Sequence, residues 1–139
     1  MRLAVPEARN RLAAHDHGVL ATVHPERGVD AVPVVYAVVD DLVGVPVDRV
    51  KPKADGPLQR ERNLAVDPRA ALLVEHWDSV DWSRLWWVRA ELHRTDADTD
   101  SVERLAASLA DRFAQYAERP FARILTFRIA RVSGWAAGG

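Results

Sequence analysis

Apolar positions along this chain fall into short runs, many alternating with polar residues at every second place, the period of a half-buried strand. Residues 19–24, 31–39, 42–47, 70–77, 85–93 and 123–133 read in this way as six strands, rich in Val, Leu and aromatic side chains. Short polar connections join several of them, Pro25-Glu26-Arg27-Gly28 after the first and Asp40-Asp41 after the second. Three segments carry helical signals instead. Pro6 opens a helix over 6–14, and a second over 57–66 is stopped by Asp67-Pro68. A third over 98–117 sets Val102, Leu105, Leu109, Phe113 and Tyr116 near one face. Pro33 interrupts the second strand. Proline has no N–H for a ladder, so that position predicts a sheet edge or a bulge, where backbone can face a ligand.

Six strands with short antiparallel connections and few helices predict a mainly β fold, a six-stranded antiparallel closed or split barrel. A doubly wound sheet would need helices between nearly every pair of strands. The length of 139 residues, without repeats or linkers, fits one domain over 1–139.

Composition narrows the partners. A net charge of −1 provides no global field for nucleic acid or anionic lipid, so anion recognition must be local. The absence of cysteine excludes disulfides, thiolate metal sites and a cysteine nucleophile. The N-terminus lacks the apolar core of a signal peptide, and no apolar run approaches the roughly 20 residues of a membrane span. A soluble cytoplasmic protein is expected.

The positive charge is distributed unevenly in kind. Lys51 and Lys53 are the only lysines, and Arg60, Arg62 and Asn63 follow closely. Cations after an apolar strand suit a phosphate, whose desolvation fixed donors offset. Four of the five tryptophans, Trp77, Trp82, Trp86 and Trp87, fall close together, which fits either a thick core beneath one sheet or an interface or ring-binding surface. His15, His17, His24, His76 and His93 show no strong metal spacing, so no metal site is expected. No phosphate-loop, dinucleotide or nucleophile-elbow motif is present. No catalytic side chain stands out, and any chemistry is expected from a bound cofactor.

Certain stretches carry a resemblance: His17-Gly18-Val19-Leu20-Ala21-Thr22-Val23, Val32-Pro33-Val34-Val35-Tyr36, Arg60-Glu61-Arg62-Asn63-Leu64 with Asp67-Pro68-Arg69-Ala70, and Val132-Ser133-Gly134-Trp135. In this order they resemble the pyridoxamine-phosphate-oxidase-like split β-barrel superfamily, within it the flavin/deazaflavin oxidoreductases that use coenzyme F420. The resemblance implies a homodimer with cofactor sites at the subunit interface and a small-molecule substrate. It places Arg60 where the family usually has a phosphate-binding lysine, with Lys51 or Lys53 supplementing it. The longer loop over 49–57 leaves open which lysine reaches the phosphate. Asn63 is a further candidate ligand, with bonding to backbone near the helix end as its alternative. Pro33, Val34, Val35 and Tyr36 fall where the tricyclic ring packs, and Trp135 closes over it. The implied activity is hydride transfer from reduced F420 to a conjugated or unsaturated molecule stacked near Trp82, Trp86, Trp87 or Trp135. The alternatives are an FMN-dependent oxidoreductase on the same barrel, or a cofactor- or haem-binding barrel without turnover, with His24 or His76 as the iron ligand.

Overall fold

Alternating burial governs the strands. Along residues 86–94, Val88, Ala90 and Leu92 are buried while Arg89 and Glu91 between them are exposed, so one face of the sheet makes the core and the other faces out. The computed structural model describes residues 1–49 and 56–138. In chain order the elements are α1 (Val5–Ala14), β1 (His17–His24), β2 (Gly28–Val35), β3 (Ala37–Val39), β4 (Leu42–Asp48), α2 (Gln59–Val66), β5 (Arg69–His76), β6 (Trp86–Arg94), α3 (Thr99–Arg112) and β7 (Phe121–Ala136). No helix among the described residues is long and apolar enough to cross a membrane.

Among the described residues the sheet has seven strands, not the predicted six, in the order β2-β1-β5-β6-β7-β4-β3, and every pairing is antiparallel. The extra strand comes from a break at Tyr36. Residues expected to form one strand pair with β1 at one sheet edge as β2, then with β4 at the opposite edge as β3. Laid flat at about 4.8 Å per strand, those edges would lie about 29 Å apart. Residues 35 and 37 can be no more than about 7 Å apart. The sheet must therefore roll until its edges meet, which produces a curled half-barrel. Pro33 lies in the edge strand β2, opposite Val19, where its missing N–H leaves no gap between paired strands.

Tyr36 secures this corner. Its side chain is fully buried, its hydroxyl donates to the Leu12 carbonyl of α1 at 2.5 Å, and its N–H donates to the Asp16 carbonyl at 3.4 Å. Burial pushes its phenol pKa up, so it stays a neutral donor. Ala8 and Leu12 of α1 join Leu20, Leu72, Val88 and Phe127 in the main core. Leu105 and Leu109 of α3 form a second cluster over Ala37 and Tyr116. Gly44 permits that seating, because a Cβ there would meet both Leu105 methyl carbons at 3.0 Å. The predicted third helix ends at Arg112, and a separate 3-10 turn over Ala114–Tyr116 brings Tyr116 into the cluster.

Tyr36→Phe keeps the ring and removes the bond to Leu12, so it should cost about 1 kcal/mol. Tyr36→Ala, which also empties the corner, should cost about 3–5 kcal/mol. Urea denaturation monitored by tryptophan fluorescence checks both; equal stability of the two variants would contradict the role assigned to the ring.

Candidate functional site

The start of α2 is held by paired charges. Glu61 accepts from the Leu58 N–H at 3.1 Å, half of a capping box; Leu58 has no side-chain acceptor to supply the other half. Arg123 of β7 grips the same carboxylate with two bonds, at 2.9 and 2.7 Å. Burial alone would raise the Glu61 pKa, but these donors and the Arg60 charge hold it below its ordinary value. At the end of β4, Asp48 accepts the Tyr116 hydroxyl at 2.7 Å.

Arg60 differs from its neighbours. Its Nε is buried without a hydrogen-bond partner, and no side-chain bond of Arg60 is made among the described residues. Burial lowers its pKa, while Glu61 and Asp48 act to raise it. A buried guanidinium nitrogen is costly to leave unpaired, so an unsatisfied one in a folded protein calls for a reason. It is a ready donor for an anion. Lys51 and Lys53, the other expected phosphate ligands, lie outside the described residues.

Asn63 is placed differently from the expectation that it binds the cofactor. It is buried, its Nδ2 donates to Thr22 Oγ1 at 3.0 Å and Asp30 Oδ2 at 2.9 Å, and its Oδ1 accepts from Gln59 Nε2 at 2.9 Å. Both ends of the amide are engaged, so Asn63 pins α2 to the β1–β2 hairpin. The backbone-bonding alternative fails for the same reason. The sequence gives no sign of Thr22 and Asp30 as partners, because they are 41 and 33 residues away along the chain.

Of the four residues expected to back a ring, only Pro33 is exposed. Val34 and Tyr36 point into the main core, and Val35 packs against the α3 cluster. The corner at Tyr36 turns this stretch inward, leaving its backbone and Pro33 for outside contact. Trp135 is on the outer face, half-exposed and opposite Trp87. Arg123, bonded to the residue after Arg60, and Trp135 occupy opposite ends of β7, separated by about 40 Å of strand contour.

None of the five tryptophans is fully buried: Trp77, Trp82 and Trp135 are exposed, while Trp86 packs partly buried against the main core. Trp77, Trp86, Trp87 and Trp135, with Leu73 and Leu85, line an outer-face pocket of about 420 Å³ bordered by Glu75, His76 and Arg89. Asp78 and Asp81 hold the adjoining loop by accepting backbone N–H groups of Val80, Asp81 and Ser83. A second apolar depression of about 460 Å³ extends across Ala21, Val23, Val29 and Ala71. The histidines proposed for haem have separate settings. His24 Nδ1 accepts the N–H groups of Glu26 and Arg27 and shapes the hairpin turn, whereas His76 stacks on Trp86 at the pocket.

No family model and no curated protein matches this sequence. Solved structures do match its fold. An FAD-binding protein of Mesorhizobium loti is 17% identical, the match covering 96% of this chain and 93% of that one, with a TM-score of 0.71. A heme binding protein of Mycobacterium smegmatis is 20% identical, covering 97% of this chain and 58% of that one, with a TM-score of 0.70. A Corynebacterium glutamicum chain assigned as a pyridoxamine 5′-phosphate oxidase is 14% identical, covering 96% and 94%, with a TM-score of 0.59. At these identities the likeness is one of fold, the split barrel.

Substitutions at neighbouring positions should move stability in opposite directions. Arg60→Met removes an unpaired buried donor and should leave stability unchanged or raise it by up to about 1 kcal/mol. Glu61→Gln should be destabilising at neutral pH. Because the folded carboxyl has the lower pKa, that penalty should fade as pH falls through the folded value. Urea unfolding at neutral and acidic pH checks both; a clear loss of stability in Arg60→Met would mean that its guanidinium is a structural tie.

Proposed function

We propose that this chain binds a phosphorylated, ring-bearing redox cofactor through Arg60, that the cofactor is coenzyme F420, and that the reaction is hydride transfer to a conjugated or unsaturated small molecule. The buried, unpartnered Arg60 Nε carries this reading. An anionic phosphate would satisfy that donor with a charge-assisted hydrogen bond. Lys51 and Lys53, which precede α2 in the sequence, are proposed to add charge at the same phosphate. Glu61 and Asp48 act on the Arg60 charge, while Arg123 and Tyr116 hold their carboxylates by hydrogen bonds.

The fold-level neighbours support a cofactor-binding role, being named for FAD and heme binding. Fold alone does not select the cofactor. The resemblance carried by His17 to Val23, Val32 to Tyr36 and Arg60 to Leu64 favours F420, with FMN as the alternative. Reduced F420 supplies a hydride as a two-electron donor, which leaves the protein to bind, orient and exclude water. No side chain is assigned as an acid, and solvent is proposed to supply the proton.

Trp135 and Arg123, the residue that bonds next to Arg60, stand at opposite ends of β7, so one chain is proposed not to hold both a ring and its phosphate. A homodimer resolves this, with Arg60 from one copy and Trp135 from the other. The outer sheet face supports such pairing, since Val19, Val29, Leu73, Trp77 and Trp135 are exposed there.

Titration with F420, FMN, FAD and haem, followed by fluorescence and absorbance, tests the reading. F420 should bind with micromolar or tighter affinity, and Arg60→Met should weaken it at least about tenfold, the loss of one charge-assisted bond. The Lys51→Ala/Lys53→Ala double variant should weaken binding more at low salt than at high salt. Binding of FMN or haem alone would keep the barrel and discard F420. Light scattering should give a dimeric mass; a monomer at micromolar concentration would contradict the two-copy site.

A further inference from the structure

We propose that His15, Asp16 and His17 form a binding site for one divalent ion of the zinc, nickel or copper class, separate from the Arg60 site. The spacing of these residues predicts no metal, but the fold supplies what spacing lacks. His15 caps the end of α1 in extended conformation, with φ −79° and ψ 159°, and β1 begins at His17. Extended backbone places residues i and i+2 on one side, and the two imidazole centroids are 5.1 Å apart. A ligand atom from each of the three residues lies within 4.8 Å of the other two. Zinc bound at about 2.0–2.1 Å requires ligand atoms about 3.3 Å apart in a tetrahedral site. Small side-chain rotations close that difference.

The backbone beneath the cluster is held from several sides. Arg112 of α3 donates to the carbonyls of Ala13 and His15, the latter at 2.7 Å. The His15 N–H bonds to Arg11 at 3.0 Å, and the Asp16 carbonyl accepts from Tyr36. Such anchoring reduces the entropy lost when a ligand set is fixed. The cluster also has a firm wall, because the His15 ring meets Trp86 edge-on at 5.4 Å.

The ligand chemistry suits a borderline ion. Two imidazoles and one carboxylate favour zinc-class metals over calcium or magnesium, which prefer all-oxygen sets. Asp16 Oδ1 and His17 Nδ1 already stand 2.8 Å apart. When the ion takes Nδ1, the proton on that nitrogen moves to the free Nε2, so no charge is created or lost. The surrounding charges partly cancel. Glu75 adds a carboxylate near His15, while Arg11 over Trp86 and Arg112 on the His15 carbonyl oppose a cation. Water completes the coordination on the exposed side.

Zinc and cobalt titrations of the tag-free full chain test this, with heat for zinc and visible absorption for cobalt. One ion per chain is expected. His15→Gln/His17→Gln should weaken binding at least about tenfold, and His93→Gln, remote from the cluster, should leave it unchanged. Asp16→Asn, a substitution at an exposed position, should also weaken binding and gives the answer if the double variant fails to fold. Absence of binding by the native chain, or equal affinity in Asp16→Asn and the native chain, would overturn the site.

Discussion

The passage of the chain through Tyr36 sets the shape of the whole molecule. One residue separates the strand at one sheet edge from the strand at the other, so the sheet cannot lie flat. Closure is thus a matter of chain length, enforced by covalent geometry before packing contributes. Packing then makes the corner specific. The Tyr36 ring fills the core where α1 meets the rolled sheet, and its two hydrogen bonds tie the corner to Leu12 and Asp16. The same turn decides which of residues 33–36 remain outside.

The surroundings of α2 show why one arginine is distinctive among many. Arg123, Arg69 and Arg27 are paired with carboxylates at hydrogen-bonding distance, and the Asn63 amide is fully engaged. These contacts are internally satisfied and hold the scaffold. Arg60 combines partial burial with an orphaned Nε. A scaffold contact and a binding group can have the same charge; the unfilled bond separates them. Proteins of this fold are named for different cofactors, so the choice of ligand rests on such local groups.

Much of the fold was legible in the pattern of apolar positions. Strand alternation around β5 and β6 and the proline at α1 marked their elements within a few residues. The break at Tyr36 was hidden because residues 31–39 form an uninterrupted apolar run, and a switch between sheet edges leaves no mark in periodicity. The tryptophans were ambiguous because composition reports hydrophobicity without direction; register places Trp87 and Trp135 on the outer face. At the candidate site, charge spacing nominates Lys51, Lys53, Arg60 and Arg62 together, and the resemblance singles out Arg60. It could not reveal that Asn63 was already occupied by Thr22 and Asp30, since those contacts exist only after β1, β2 and α2 have packed together.

The central claim is that the Arg60 Nε is reserved for a phosphate. A crystal structure of the protein grown with F420 tests it most directly. The account predicts a phosphate oxygen within hydrogen-bonding distance of Arg60 Nε, with the Glu61–Arg123 pair intact beside it. A cofactor phosphate bound elsewhere, with Arg60 Nε still unpaired, would contradict it.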